Sequence, residues 1–443
     1  MSAKRLSPWG WWCLLCLVFA LAGCDCGDDD DDDNAAVDDD NDNGDDDNLD
    51  DDNGDDDDDD DDDDNDDDTT PWPPNELVDE GKLWLHRGDG DRADLYFRQA
   101  LDILPLHPEA NYGLVIGNAM HNLDLFGIIL DYVYSVIDNG GPVKDDPDNL
   151  LDNFLAQALD GLQYASGKEQ LEYAQICLEE GYVFQQDEDL AIPIIIHFER
   201  LADIFGQFDE AELHAAVVPT LILWGLLEHV DAVSLDCDYT QAYLLAELDW
   251  DDILNALKEA IPILINLFED PAYPDFFTFP AENIPQIQDA GLRLAEAMEQ
   301  FRLVFPAVEG EAGEDQATDV FGYDDQNGNQ KYDAGEPYRI NGYGSLDADQ
   351  MEIVYALRYV ATKLRDSFWD YTEYDVDPDN PNPFHLSYLN PLLQAFGLPA
   401  LIPDWSFLQI DFGAFYADPG SDGLKQLLLS ILRIAEIIIG LIG

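Results

Sequence analysis

The stretch NELVDEGKLWLHRGDGDRADLYFRQALDILP, residues 75–105, decides how the folded part of this chain is built. Leu77, Gly81 and Trp84 stand four and three residues apart, and Ala93, Phe97 and Ala100 repeat that spacing. Each half therefore lines one face of an α-helix. Gly88 lies between the halves and Pro105 closes the second. Small residues at Gly81, Ala93 and Ala100 let two antiparallel helices approach closely, while Leu77, Trp84 and Phe97 fill the groove between them. The run from His107 to Leu114 opens a further helix.

Taken in order, these eight positions resemble the tetratricopeptide repeat, a helix pair that stacks on its neighbours. The resemblance covers about 65 of the 443 residues. Val115 replaces the usual small residue of a second repeat, and Leu125 to Ile137 departs from the pattern. It implies a concave helical surface suited to a peptide, protein or small-ligand partner, with Leu77, Trp84, Phe97 and Tyr112 in the core.

The rest of the chain reads as more helix. Ile287, Ala290, Leu294, Met298, Phe301 and Phe305 form one apolar stripe, and Asp347 with Gln350 resembles a capping box before Met351 to Phe368. Helical periodicity also covers Leu150 to Tyr164, Leu190 to Phe205, Ala211 to Val230 and Trp250 to Phe268. Ser406 to Phe415 is the best strand pattern, and it is short. Leu424 to Gly443 is almost wholly apolar, but Lys425, Arg433 and Glu436 favour a buried closing helix over a membrane span. The expected fold class is all-α, with antiparallel helix pairs. Tetratricopeptide-like helices occupy 71–140, and a further helical body fills 141–443.

Charge separates this body from what precedes it. The chain carries 97 acidic and 19 basic side chains, a formal charge of −78. Thirty of the acids are Asp between residues 25 and 68, a run without Lys, Arg or Glu. Residues 69–443 keep 67 acids against 17 bases, a net of −50. Such a chain will not grip nucleic-acid phosphates. Yet 46% apolar residues provide for a sizeable core. The Asp run repels itself into an extended, disordered tether over residues 24–70, reaching at most roughly 150 Å.

Residues 1–23 read as an export signal: Lys4 and Arg5 precede an apolar run from Trp9 to Ala20, too short to span a bilayer comfortably. The signal ends in Leu21-Ala22-Gly23-Cys24, which resembles the bacterial lipobox. That resemblance implies a lipoprotein acylated on Cys24 and held on a cell-envelope membrane. Asp25 next to the Cys resembles inner-membrane retention signals of some bacteria and surface-export signals of others, so outer membrane, periplasmic face, cell surface and inner membrane all stay open.

One motif carries chemistry. Residues 325–336, DQNGNQKYDAGE, place oxygens where a hard cation needs them, at positions 1, 3, 5, 7, 9 and 12 of an EF-hand loop. The ligands are Asp325, Asn327, Asn329, the Lys331 carbonyl, Asp333 and Glu336. With Pro337 the segment also resembles the Asp-x-Asn-x-Asn…Gly-Glu-Pro calcium loops of exported bacterial proteins. Gln330 stands where a turn Gly is expected, so it has to accept a positive φ. The expected cofactor is structural Ca²⁺, tying down a region of about 308–346 that is long for a connection. Asp375-x-Asp377-x-Asp379-Asn380 starts similarly but has Leu386 at its twelfth position, and reads as a turn.

Cys177 and Cys237 are a candidate disulfide in an oxidising compartment, or two separate buried thiols. The seven His residues form no metalloprotease pair and read as surface or packing residues; a nucleophile elbow, a phosphate loop and a dinucleotide fingerprint are absent. The function expected is a membrane-anchored, non-catalytic binding or scaffold lipoprotein. The alternatives are an exported hydrolase with an unrecognised site, or an accessory lipoprotein of a solute transporter.

Overall fold

The computed structural model describes residues 72–138, 166–196, 199–235, 253–311, 318–368, 383–395 and 409–442, with isolated positions between them. The export signal, Cys24, the Asp-rich run, the Asp375–Asn380 cluster and most of Leu150 to Tyr164 lie outside the described residues.

Pro74 at the first turn starts helix α1, Pro74–His86, because its missing N–H costs nothing there. Gly88 takes a positive φ of 76°, and Asp89 caps helix α2, Gly90–Ile103, by accepting from the Arg92 amide. Phe97 on α2 is fully buried. A Cβ added at Gly81 would lie 2.6 Å from its ring, and one at Gly113 2.4 Å, so two glycines on different helices make the slot for one aromatic ring. Trp84 is less buried than the spacing implies: it lies at the edge of the core, with the Arg87 and Arg92 guanidinium groups each 4.4 Å from its ring centre.

Helix α3, Pro108–Asp138, brings Gly113 against α2 and then packs on α4, Ser166–Glu180, and α5, Glu210–Ala232. A buried polar knot joins these three helices. The Gln170 amide donates to the carbonyls of Val115 at 3.1 Å and Ala216 at 3.0 Å. Its oxygen accepts from Thr220 and from Asn122, and Asn122 also donates to Thr220 at 2.9 Å. Ser166 completes the set by donating to Asn122 at 2.8 Å. We expect Gln170→Ala to lower stability by about 3 kcal/mol in urea unfolding, since it opens a cavity and strands several buried partners. A loss below about 1 kcal/mol would mean that water replaces the amide.

The periodicity over Leu190 to Phe205 misleads. That segment is a β-hairpin, β2 (Ile192–Ile196) against β3 (Glu199–Ile204), not a helix. A run of isoleucines matches any period, and β-branched side chains with Pro193 favour the extended chain. Flanking it, β1 (Phe184–Gln186) pairs with β4 (Gly206–Phe208). Phe184 stacks on Tyr112 and meets Phe97 and Phe208 edge-on, so the hairpins belong to the core that also contains α1 to α5. This cluster runs from Leu77 to Val320, and the first helices share one core with the later body.

Helix α6, Ile253–Phe268, packs on the closing helix α11, Gly423–Ile442. Leu424, Leu429 and Leu432 of α11 are buried, whereas Ile437 is 61% exposed, so the closing helix buries one face only. Among the described residues one helix is long and apolar enough to cross a membrane, α5, and most of its apolar stretch is buried inside the protein. Helix α7, Ile284–Gly310, lies along α5 and buries Ile287, Ala290 and Phe305 of the expected stripe. After it come β5 (Phe321–Tyr323), β6 (Tyr338–Ile340) and β7 (Gly344–Ser345), then helix α8, Ala348–Phe368. The Asp347–Gln350 capping box is formed, with both bonds at 2.9 Å.

Of the expected strand at Ser406 to Phe415, the described residues start at Gln409 and are only partly extended. Only β9, Gln409–Ile410, pairs with β8, Phe384–His385. From Phe412 the chain turns into helix α10, Phe412–Ala417, capped by Asp411 accepting from the Ala414 amide. A short helix α9, Asn390–Ala395, precedes it. The fold is mainly helical, and its strands are short pieces in small sheets.

Candidate functional site

Strands β5 and β6 pair antiparallel with Tyr323 opposite Tyr338, which makes residues 324–337 the loop of a hairpin. The Asp324 amide donates to the Pro337 carbonyl at 2.9 Å and closes its neck. Inside, one carboxylate organises the turn: Asp325 accepts from the amides of Gly328, Asn329 and Gln330 at 2.7 to 3.1 Å. Asn327 and Asn329 continue as Asx turns, accepting from the amides of Asn329 and Lys331. Glu336 is 5% exposed and folds back over the loop, accepting from the Gln326 and Asp333 amides at 3.0 Å each. The side-chain amides of Asn327 and Asn329 donate to Asp333 at 2.6 and 2.8 Å.

The structure thus gathers Asp325, Asn327, Asn329, Asp333 and Glu336 in one circuit, with Lys331 joined through its N–H. It does not bring Asp325, Asp333 and Glu336 to within 4.8 Å of one another. Gln330 takes a φ of 60°, as the missing glycine requires. Left-handed backbone costs a residue with a Cβ about 1 kcal/mol, so Gln330→Gly should raise the melting temperature of the calcium-free chain slightly. A lower melting temperature would show that the side chain contributes more than the strain costs. Tyrosines hold the loop to the body: Tyr332 stacks on Tyr338 with centroids 5.6 Å apart, and its hydroxyl meets that of Tyr355 on α8 at 3.0 Å.

A second acidic centre lies at the base of this hairpin, where sequence spacing gives no sign of it. Asp209 caps α5, Glu311 follows the end of α7, and Asp319 bridges to Gln207 just before β5. Ligand oxygens of these three lie within 4.8 Å of one another. Glu212 is beside them, 4% exposed, with its carboxylate accepting from the Asp209 amide at 2.9 Å and the Phe321 amide at 2.7 Å. Tyr112 donates to the Asp209 carbonyl at 2.6 Å.

Burial, then the charges of Asp209, Asp319 and Glu212, push the Glu311 carboxyl up to about 10. Burial and the Asp209 charge raise Glu212 well above the usual range as well. These neighbours favour the protonated form of Glu311, in a cluster whose carboxyls titrate together. Chemically the group can keep that proton or exchange it for a cation. Asp209 and Glu212 are a capping box in the sequence, but nothing local marks Glu311 or Asp319 as their partners.

Cys177 and Cys237 are not bonded to each other: both are buried, in separate apolar clusters. Burial pushes the Cys177 thiol up to about 12, which leaves it inert. His229 is a packing residue, bonded to the Gly225 carbonyl at 2.6 Å and the Tyr416 hydroxyl at 2.8 Å; burial lowers it to about 4.

Fold and loop together define a mainly helical protein with a pre-folded acidic turn. No protein-family model matches the chain, and neither a curated protein nor a solved structure matches it significantly.

Proposed function

We propose that this chain is a lipid-anchored cell-envelope protein whose helical body is a non-catalytic binding or scaffold module, with one structural Ca²⁺ in the loop 325–336. The observation that carries the calcium reading is the Asp325 carboxylate, which fixes the three successive amides of Gly328, Asn329 and Gln330. With that frame folded, a cation has only to draw in Asp333 and Glu336 and take the oxygens of Asn327, Asn329 and the Lys331 carbonyl. The role is structural because these carboxylates would be occupied by the ion.

The tetratricopeptide-like reading is supported by Phe97 lying in the slot between Gly81 and Gly113, which seats α3 against the first helix pair. The anchor rests on Leu21-Ala22-Gly23-Cys24. Acyl chains on Cys24 would hold the protein stably at a bilayer without a spanning helix. Bacteria expressing the chain and fed radiolabelled palmitate should yield a labelled product in the membrane fraction, and Cys24→Ser should remove both label and membrane association. Unlabelled protein that is nevertheless exported would reject the lipoprotein assignment.

A further inference from the structure

The loop 324–337, helix α8 and helix α9 enclose a cavity of about 710 Å³. Its apolar wall includes Pro337, Leu346 and Met351, and its rim carries Glu352, Tyr355 and Tyr359. The rim residues stand three and four positions apart, so they share one face of α8. Tyr355 and Tyr359 are 37% and 39% exposed, which leaves ring surface open to a ligand. Glu352 is exposed, is the one charged side chain lining the cavity, and makes no ion pair among the described residues.

An aromatic face attracts cations, most strongly where a carboxylate adds its charge. One of the two rings already has a cation beside it: the Lys363 ammonium lies 5.8 Å from the Tyr359 ring centre and 5.3 Å from that of Tyr388, so a bound ammonium has to rest mainly on Tyr355 and Glu352. Around them is a body with 67 acids against 17 bases, whose field concentrates cations at its surface. A sugar could stack on the same rings and donate hydroxyls to Glu352, but being neutral it would gain nothing from that field.

We infer that this groove binds an organic cation, with an alkylated ammonium group against Tyr355, paired to Glu352, and its larger carrier lying over Met351, Leu346 and Pro337. The inference deepens the binding-module reading by naming a ligand class. It requires neither the lipid anchor nor the calcium ion.

Calorimetric titration of the full chain tests it, with tetramethylammonium, choline and trimethyllysine as probes. The comparison ligands are 3,3-dimethylbutan-1-ol, the uncharged isostere of choline, and cellohexaose. We expect choline to bind at least about tenfold more tightly than its isostere. The preference should shrink as salt rises from about 20 to about 200 mM. Glu352→Gln and Tyr355→Leu should each weaken choline about fivefold or more, and Glu352→Gln should keep the parent melting temperature because its side chain is exposed. Tyr355→Phe loses only the hydroxyl that meets Tyr332 and should still bind choline, which separates loss of the ring from loosening of the loop. Equal affinity for the isostere, preference for cellohexaose, no ammonium binding, or Glu352→Gln and Tyr355→Leu chains that bind like the parent would each overturn the inference. Loss of palmitate labelling or of a calcium response would reject the preceding reading and leave this titration intact.

Discussion

Saturating Ca²⁺ should raise the melting temperature of the chain, and Glu336→Ala should abolish the rise. A ligand that binds only the folded state at a hundred times its dissociation constant adds about 2.7 kcal/mol, or roughly 3 °C for a body of this size. Glu336 is the twelfth residue of the loop and the one able to give two oxygens to the ion. It also accepts from the Gln326 and Asp333 amides, so truncation loosens the calcium-free loop as well. Glu336→Gln separates the two effects: it keeps an acceptor for the loop and loses the charge. Scanning calorimetry with added Ca²⁺ and with chelator measures both variants. No change on chelating the parent chain would reject the loop as an ion site. A rise that survives in Glu336→Ala but vanishes in Asp319→Asn would place the ion at the buried carboxylates instead.

We expect Glu311→Gln to stabilise the protein at pH 8 and to have little effect at pH 4.5. The sign follows from the direction of the shift. Burial and the neighbouring Asp209, Asp319 and Glu212 raise the folded-state value to about 10, from 4.5. A group raised on folding contributes stability that is complete below its unfolded value and is lost as pH rises toward its folded one. The parent chain should lose stability through the window from about 4.5 to about 10, and an amide that never ionises should flatten that slope, leaving the part due to Glu212. His229 acts in the opposite sense: lowered from 6.5 to about 4, it costs stability as pH falls through that interval. Melting curves against pH for the parent and for Glu311→Gln decide the matter. Parallel curves would mean that the carboxylates relax apart when charged.

Where a property depended on neighbours in sequence, it could be read from the sequence. The Asp347–Gln350 cap and the strained Gln330 turn are each set within about one helical turn or one loop, and Gly81 meets Phe97 within one adjacent helix pair. Their partners are fixed by chain geometry, so spacing is enough. The same local logic failed over Leu190 to Phe205, because an unbroken apolar run fits helix and strand periods alike and packing chose the strand. Trp84 filled a core position on the grid, yet two arginines drew its ring to the edge.

The opposed charges of this chain mark the same boundary. Its amino-acid sequence alone determined the Asp-rich run, the lipobox-like Leu21-Ala22-Gly23-Cys24, the helical character of the body and the order of candidate oxygen ligands in 325–336, since each is a matter of composition or of fixed spacing. Only the tertiary structure could bring Asp209, Glu311 and Asp319 together, put Cys177 and Cys237 in different clusters, and set Glu352, Tyr355 and Tyr359 on the rim of a cavity beside the loop. Contacts between residues distant in sequence depend on how helices pack, and in a chain with 97 acidic side chains no spacing rule tells the few that meet from the many that face water.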